Sequence, residues 1–199
     1  MKPAVVLASG SATRKTMLSA AGVAFTVDVA AIDETSILES LQAEQAKPRD
    51  AADMLAEMKA LKVSAKHSGA LVIGADQILS LGRKFFSKPA DMSEARKQLQ
   101  DLRGHIHQLT SAAVVARDGT AIWREVREAK LTMRNFSDAF LDDYLAKAGP
   151  SVLTSVGAYQ VEGLGAQLFS RIEGDHFTIL GLPLLPLLDM LRAQGALHS

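Results

Sequence analysis

Residues 5–22 read VVLASGSATRKTMLSAAG and carry the signals of a strand, a loop and a helix in that order. The run Val5–Leu7 is apolar, β-branched and too short for a helix, which favours a buried strand. Residues 9–11 break the run, and a helix is expected from Ala12 with Gly22 as its stop signal. A strand that leads directly into a helix is the first indication of an α/β protein.

The start of that helix allows two interpretations. Backbone N–H groups at a helix N-terminus favour anions, and the hydroxyls of Ser9 and Ser11 would add donors. Arg14 and Lys15 oppose the helix dipole unless an anion binds between them. The alternative is an ordinary Ser11 cap followed by solvated basic residues. The phosphate loop GxxxxGK[ST] of nucleoside triphosphatases does not occur in the sequence, which sets that class aside.

Length and composition narrow the class of protein. The chain has 199 residues, of which 48% are apolar, enough to bury a full core as one domain or two closely fused lobes. Lys and Arg (22) balance Asp and Glu (22), which argues against a general binder of nucleic acid or anionic membranes. The absence of cysteine excludes disulfides, thiolate nucleophiles and zinc–sulfur sites. The sequence has neither a bilayer-long apolar segment nor a signal-peptide pattern, so we expect a cytoplasmic protein without a membrane partner.

Strand and helix signals are interspersed along the rest of the chain, which predicts an α/β class with a largely mixed sheet. Strands are expected over FTVDVA (25–30), ALVIGADQILSL (70–81) and 157–175. Two long strands are expected from His107 to Arg134, on either side of a turn at RDGT (117–120), and a hairpin turn is expected in LGRKFF (81–86). A long helix is expected from Pro48 to about Ala65, where Ala51, Met54, Leu55, Met58 and Leu61 fall at helical spacing. Further helices are expected from a Ser93 cap to Gly104, from Ser137 to Gly149, and from near Pro183.

Two acidic positions follow predicted strands. Asp76 closes an apolar run, where open α/β sheets place functional side chains, and Asp33 and Glu34 follow the second strand. Carboxylates from two strand ends could share a divalent metal, because Mg²⁺ prefers one or two carboxylates together with phosphate oxygens and water. A simple turn-forming role for Asp76 is the alternative.

Two lysines occupy unusual positions. Lys59 lies one helical turn after Leu55, at the edge of an apolar stripe, and Lys88 belongs to a tight Lys–Pro turn. The alternative to a functional role is a surface side chain; for Lys59 that means an alkyl stem that covers apolar surface while its ammonium group reaches solvent.

Five separated segments occur together in an order that resembles the Maf family of nucleoside triphosphate pyrophosphatases. They are LASGSATRKTMLSAAGVAFTV (7–27), DET (33–35), LVIGADQI (71–78), KPADMSEARKQLQDLRGHIH (88–107) and VGAYQVEGLGAQLFSRIEGD (156–175), the last followed by GLPL (181–184). The resemblance runs from Val5 to Gly195. It is far more specific than any one of these segments.

The resemblance implies a fold and a reaction. The fold is a mixed twisted sheet flanked by helices, Maf- or inosine-triphosphatase-like, with two lobes around a nucleotide-binding cleft in a single domain over residues 1–199. In the reaction, water attacks the α-phosphorus of a nucleoside triphosphate and releases the monophosphate and pyrophosphate. The implied cofactor is Mg²⁺ or Mn²⁺, the partner is the nucleotide rather than nucleic acid, and a homodimer is compatible with it.

The resemblance also implies roles for matching residues. Phosphates would be held by Ser9, Ser11 and Arg14. The metal would be held by Glu34 and Asp76, with Asp76 as the base that activates water. The triphosphate and its developing charge would be steadied by Lys59 and Lys88. Such a displacement needs positioned cations and an oriented nucleophile more than covalent help.

Three departures from the commonest family pattern concern the substrate. Ser11-Ala12-Thr13-Arg14 replaces serine–proline–arginine–arginine, Gln77 replaces a frequent threonine, and Glu162 replaces a frequent glutamine. Gln77 and Glu162 resemble the branch that prefers 7-methyl-GTP, although that branch usually places tryptophan at Thr13. A carboxylate at Glu162 matches the two adjacent donors of guanine.

We therefore expect Thr13, Gln77 and Glu162 to contribute to substrate binding, with 7-methyl-GTP as the substrate. The alternatives are a dTTP, UTP or broad nucleotide pyrophosphatase, and a nucleotide-binding regulator of cell division with little turnover.

Overall fold

The computed structural model describes residues 2–198, which form seven strands and seven α-helices. The strands are β1 (Val5–Leu7), β2 (Thr26–Val27), β3 (Leu71–Leu81), β4 (Lys84–Phe86), β5 (Ile106–Arg117), β6 (Thr120–Met133) and β7 (Phe169–Glu173). The helices are α1 (Ala12–Ala20), α2 (Glu34–Ala43), α3 (Pro48–Ser64), α4 (Met92–Leu102), α5 (Asp138–Ala148), α6 (His176–Ile179) and α7 (Leu184–Ala193). Short 3₁₀ helices cover Gly149–Thr154, Val156–Ala158 and Leu164–Leu168.

The strands form one mixed sheet in the order β2-β1-β3-β5-β6-β7, with β4 paired to β3. Strand β1 runs parallel to both β2 and β3, whereas β4 is antiparallel to β3 and β7 is antiparallel to β6. The predicted mixed α/β sheet with flanking helices is therefore confirmed.

The chain forms two compact units. The first comprises the residues up to Gln77, Thr110–Glu128 and the residues from Asp175 onward. The second comprises Ile78–Leu109 and Ala129–Gly174. Strands β3, β5 and β6 each contribute residues to both units. The division lies inside regular strands, where no linker signal appears in the sequence, and the assignment of a single domain over residues 1–199 stays a prediction.

In the first unit, β1 and β3 are buried on both faces, which explains their nearly continuous apolar sequence. Val5 and Leu7 share one core cluster with helices α1 and α7, while Val6 belongs to a second cluster with Val63 of α3. Successive side chains of a strand point to opposite faces, so this alternation places helices on both sides of the sheet.

The second unit has its own buried residues. Leu79, Leu102, Leu109, Leu131 and Leu141 are all fully buried there, and they come from β3, α4, β5, β6 and α5. The hairpin predicted in LGRKFF is confirmed, because Leu81 pairs with Lys84 across a two-residue turn.

The region after β1 differs from the prediction. The second strand is only Thr26–Val27, and Glu34 opens helix α2, which the sequence analysis missed. The prediction that Glu34 follows a strand end is wrong. The local reason is Asp33, whose carboxylate accepts a hydrogen bond from the Ser36 backbone N–H at 3.1 Å and caps the helix.

Asp76 does not close its strand. It lies in the middle of β3, because the apolar pattern continues through Ile78 and Leu79 into the second unit. The boundaries of α3 are confirmed, but Met54 and Met58 are exposed, and half of the buried residues of the helix are alanines.

Two further boundaries required correction. Helix α4 is capped by Asp91, whose carboxylate accepts from the Glu94 N–H at 2.8 Å, and Ser93 lies inside the helix. Within 157–175 only Phe169–Glu173 is a strand. The long strands of the β5–β6 pair and the helices after Ser137 and near Pro183 are confirmed. Among residues 2–198, none of the helices combines the length and apolar character needed to cross a membrane.

Candidate active site

Lys59 connects the two predicted acidic residues of the first unit. Its ammonium nitrogen lies 2.6 Å from Asp76 Oδ1 and 3.0 Å from Glu34 Oε1. Lys59 and Asp76 are only 5% and 6% exposed, whereas Glu34 is exposed. The three residues come from α3, β3 and the first turn of α2, so the fold brings together side chains that are 17 and 25 positions from Lys59 in the sequence. The surface alternative for Lys59 is wrong.

A glycine on β3 allows α3 to come close enough for this ion pair. A Cβ at Gly74 would overlap the Ala56 carbonyl oxygen and lie 2.5 Å from the Ala60 backbone nitrogen. Only a residue without a side chain fits at this crossing. Ala56 and Ala60 flank Lys59 on the helix, and Asp76 follows Gly74 by two residues on the same face of the strand.

Burial and nearby cations act in opposite directions on Asp76. Burial raises the pKa of its carboxyl group above the ordinary value, and the charges of Lys59 and Arg14 partly offset that rise. A raised pKa moves a carboxylate towards the range in which a general base works well at neutral pH.

Arg14 is a buried part of the same site. Its guanidinium donates to the carbonyl oxygen of Gly181 at 2.8 Å, to Ser9 Oγ at 3.0 Å and to the carbonyl oxygen of Ala75 at 2.9 Å. Burial lowers its pKa from the ordinary value, and the Asp76 carboxylate opposes that effect. Arg14 therefore cross-links the loop after β1, strand β3 and the turn after α6.

The loop between β1 and α1 holds the predicted serines. Ser11 caps α1, as its hydroxyl oxygen accepts from the Arg14 N–H at 3.4 Å, so the predicted cap is confirmed. The solvated basic residues expected with that cap are wrong for Arg14, which is buried. Ser9 is buried, and its hydroxyl oxygen also accepts from the Ser11 N–H at 3.3 Å. Thr13 is half-buried in the first turn of α1. The anion site at this helix start stays a prediction.

Gln77 is held by internal hydrogen bonds. Its amide nitrogen donates to Ser111 Oγ at 3.0 Å and lies 3.2 and 3.0 Å from the carbonyl oxygens of Thr178 and Ile179. These contacts tie β3 to α6 and to the start of the turn that Arg14 also contacts. They give Gln77 a structural role, and its predicted substrate contact stays a prediction.

The remaining two predicted site residues belong to the second unit. Lys88 is exposed in the segment between β4 and α4. Glu162 is exposed in the turn between the 3₁₀ helices Val156–Ala158 and Leu164–Leu168. The first unit contains the other eight of the ten predicted site residues (Ser9, Ser11, Thr13, Arg14, Glu34, Lys59, Asp76 and Gln77).

Comparison with known proteins agrees with the resemblance read from the motifs. The family model for Maf-like proteins matches residues 4–194. The chain belongs to the Maf family. It is 59% identical over 192 residues to a nucleoside triphosphate pyrophosphatase of Paramagnetospirillum magneticum, an alignment that covers 96% of this chain and 99% of that protein. It is 53% identical over 199 residues to a 7-methyl-GTP pyrophosphatase of Rhizobium meliloti, with both chains fully covered. A nucleoside triphosphate pyrophosphatase of Caulobacter vibrioides is 55% identical over 193 residues, 97% of this chain and 96% of its own.

The carboxylates of this Maf protein fit the predicted divalent metal. Glu34 and Asp76 converge on one ammonium group, which shows that both can approach the same cation. Within residues 2–198 no cluster of three or more His, Asp or Glu side chains could hold a metal ion. Two carboxylates are a ligand set that Mg²⁺ or Mn²⁺ accepts together with phosphate oxygens and water, and the metal itself stays a prediction.

Sequence reasoning missed the groups that form hydrogen bonds to the buried side chains of the site. Gly181 and Ala75 contribute backbone carbonyls, and Ser111 and Thr178 are fully buried polar residues. A carbonyl leaves no trace in the sequence. The one local signal is Asp175, which caps α6 by accepting from the Thr178 N–H at 2.8 Å and marks the start of that short helix.

Proposed function

We propose that this Maf protein is a nucleoside triphosphate pyrophosphatase in which Asp76 acts as the general base. The buried ion pair of Lys59 with Asp76, extended to the exposed Glu34, carries this proposal. The names of the relatives at 53–59% identity support it.

The chemistry follows from the positions of these groups. Asp76 accepts a proton from water as the water oxygen bonds to the α-phosphorus of the nucleotide. The bond from the α-phosphorus to the bridging oxygen breaks, and pyrophosphate leaves with that oxygen. Lys59 stabilises the ionised Asp76 and the charge that develops on the phosphates. Ser9, Ser11 and the start of α1 bind phosphate oxygens, and Arg14 holds that loop in place.

Binding of a triphosphate at this site requires positive charge beyond that of Arg14 and Lys59. The formal charges of Arg14 and Lys59 are cancelled by those of Glu34 and Asp76, so these four side chains add no net positive charge for a triphosphate. We propose that Glu34 and Asp76 hold a Mg²⁺ or Mn²⁺ ion, which would supply charge neutralisation and Lewis acidity. We also propose that Lys88 contributes positive charge to the triphosphate.

The preferred substrate is proposed to be 7-methyl-GTP. An ionised Glu162 accepts hydrogen bonds from the two adjacent donors of the guanine edge, and a carboxylate favours the cationic ring that methylation at N7 creates. Uracil and thymine present one donor flanked by carbonyl oxygens, which a carboxylate disfavours. Relatives with the general and the 7-methyl-GTP names both occur at similar identity, so dTTP, UTP or broad use is the second candidate. We place the activity in the cytoplasm, without nucleic acid or membrane as a partner.

A nucleotide panel tests the activity and the substrate together. With Mg²⁺ or Mn²⁺, we expect monophosphate and pyrophosphate from 7-methyl-GTP, GTP, UTP and dTTP, with kcat/KM for 7-methyl-GTP highest by roughly tenfold or more over UTP. In ¹⁸O-labelled water the label should enter the monophosphate. Glu162→Gln should shift the preference towards UTP and dTTP. A native preference for UTP or dTTP would contradict the role of Glu162.

Asp76→Asn separates an enzyme from a nucleotide-binding regulator. It should lower turnover about a thousandfold or more, because both the base and its negative charge are lost. Asp189→Asn, at an exposed position of α7, is the matched control and should retain native turnover. A native protein that binds nucleotide without releasing pyrophosphate would favour the regulator.

A further inference from the structure

The second unit contains a buried polar contact that the proposed mechanism does not use. His107 Nε2 lies 2.8 Å from the phenol oxygen of Tyr159, and the two side chains are 1% and 5% exposed. The rings of His107, Tyr159 and Phe169 pack against one another, with centroids 5.7 Å apart for His107 and Tyr159, 4.9 Å for Tyr159 and Phe169, and 5.8 Å for His107 and Phe169. Tyr159 is thus fixed both by packing and by one hydrogen bond.

The backbone next to Tyr159 is constrained as well. Tyr144 donates from its hydroxyl to the Ala158 carbonyl oxygen at 3.1 Å. Gly157 has a φ of 76°, and a Cβ there would lie 2.5 Å from Leu79 Cδ1 and 2.8 Å from Tyr159 Cε1. The backbone before Tyr159 therefore has a conformation that only glycine at position 157 allows without overlap.

Immediately after Tyr159 the chain makes a closed turn. The Gly163 N–H donates to the Gln160 carbonyl oxygen at 3.2 Å, and the Ala166 N–H donates to the Gly163 carbonyl oxygen at 3.1 Å. A Cβ at Gly165 would lie 2.8 Å from the Gln160 backbone nitrogen, so this turn also depends on a glycine. Glu162 lies at the exposed part of the turn, three residues from the buried tyrosine.

We propose that His107 and Tyr159 are positioning residues whose buried hydrogen bond fixes the turn that carries Glu162 and thereby sets base discrimination. The inference rests on the proposed role of Glu162. A carboxylate distinguishes two adjacent donors from one only when it is held in place, since displacements of about 1 Å are enough to weaken such sites. Because Glu162 is exposed, its position depends on how firmly the turn that carries it is held.

The test uses ring-preserving variants of the full-length protein. Tyr159→Phe and His107→Phe each remove the hydrogen bond while keeping an aromatic ring. Each should lower the ratio of kcat/KM for 7-methyl-GTP to that for UTP about fivefold or more, mainly through KM for 7-methyl-GTP. The double variant should be no worse than either single variant, because both remove the same interaction. His107→Gln, which retains a side-chain amide for the phenol, should recover part of the ratio.

A second measurement does not depend on activity. Amide exchange of Gly163 and Ala166 should become about tenfold faster in Tyr159→Phe, while exchange in α1 should remain native. Ser64→Ala is the matched control, since Ser64 is buried and accepts from the Gly119 N–H at 3.0 Å in the first unit. It should alter neither the substrate ratio nor the exchange of the turn.

The outcomes separate this inference from the proposed function. If Glu162→Gln changes the substrate ratio while Tyr159→Phe folds and leaves both the ratio and the exchange native, the positioning role is wrong and the proposed function stands. If the native protein does not discriminate between bases, the role of Glu162 and the inference built on it both fail. Should the phenylalanine variants not fold, His107→Gln still decides: because it restores the hydrogen bond only in part, exchange of Gly163 should be faster than in the native protein, and native exchange would contradict the positioning role.

Discussion

Lys59 and Asp76 form an ion pair in which both side chains are buried, with 2.6 Å between the ammonium nitrogen and the carboxylate oxygen. An isolated buried charge is costly, and each of these residues stabilises the charge of the other. Glu34 extends the pair towards solvent, at 3.0 Å from Lys59. The charge of Lys59 therefore supports an ionised carboxylate at this buried position.

Removing the Lys59 charge should shift the pH dependence of catalysis. The positive charge lowers the pKa of Asp76, so Lys59→Gln should raise that pKa further. Because the base must be ionised, the acidic limb of the kcat/KM profile should move to higher pH by about one unit or more, with a lower plateau. Lys147→Gln, which removes an exposed ammonium group in α5, is the control. A limb that stays in place or moves to lower pH would exclude Asp76 as the titrating base.

Gly74→Ala should separate Lys59 from Asp76 without changing either residue. The added methyl group would overlap the backbone of α3 at Ala56, so the helix must move away from β3. We expect a loss of about 2–4 kcal/mol in the free energy of unfolding, as for other overpacked core positions, and a loss of activity larger than this destabilisation explains. Urea unfolding and turnover measure the two effects. Gly22→Ala is the control for a glycine substitution, because no atom lies within 4 Å of the added Cβ although φ is positive there. Full activity in a folded Gly74→Ala variant would show that the close contact between β3 and α3 is not needed for catalysis.

The local parts of this site follow from the sequence because their signals lie within a few residues. The apolar run of β1, the Ser11 cap and the helix stop at Gly22, where φ is 72°, all belong to one short stretch. The strand and the stop were predicted, and the cap was one of the two interpretations of the helix start. The prediction at Glu34 was wrong because its local signal is ambiguous. An acidic pair after a β-like run fits a strand end and a helix cap equally well, and the Asp33 carboxylate selects the cap.

The buried role of Arg14 could not be read from the sequence. Its acceptors at Ala75 and Gly181 are 61 and 167 positions away, and both are backbone carbonyls. Every residue has a backbone carbonyl, so the sequence does not show which carbonyls accept hydrogen bonds from a buried arginine. A buried arginine with such partners therefore looks like an exposed one in the sequence. The position of Asp76 was misjudged for a related reason, since β3 continues past it into a second compact unit that no linker announces.

Truncating Arg14 should weaken the binding of every nucleotide to a similar extent. Arg14→Ala leaves the Gly181 and Ala75 carbonyls and the Ser9 hydroxyl without a donor, which should loosen the phosphate-binding loop and cost about 2–4 kcal/mol of stability. Arg14→Lys should recover only part of this, because an ammonium group lacks the forked geometry of guanidinium. Affinities for 7-methyl-GTP, GTP and UTP, measured beside Arg192→Ala as the exposed control, should all fall together. Loss of affinity for one base alone would contradict a role in the phosphate loop.

His107 should make the stability of the protein depend on pH in the acidic range. Burial lowers its pKa from 6.5 to about 4, so the folded protein keeps the imidazole neutral where the unfolded chain binds a proton. The free energy of unfolding should therefore be highest above about pH 6.5 and fall as the pH decreases towards 4, by about 3 kcal/mol from this residue. The neighbouring phenols of Tyr144 and Tyr159 stay protonated throughout, because burial raises the pKa of both.

His107→Gln isolates this contribution, because glutamine does not titrate. Urea unfolding between about pH 7 and pH 4.5 should show a smaller loss of stability for the variant than for the native protein, so that the difference between them narrows or reverses as the pH falls. His105→Gln is the matched control, since His105 is exposed two residues earlier and its Nδ1 lies 2.9 Å from the Arg103 carbonyl oxygen. It should follow the native curve. If His107→Gln instead lost stability in parallel with the native protein over the whole range, the acid sensitivity would have to come from other groups, and a neutral, buried His107 would be ruled out.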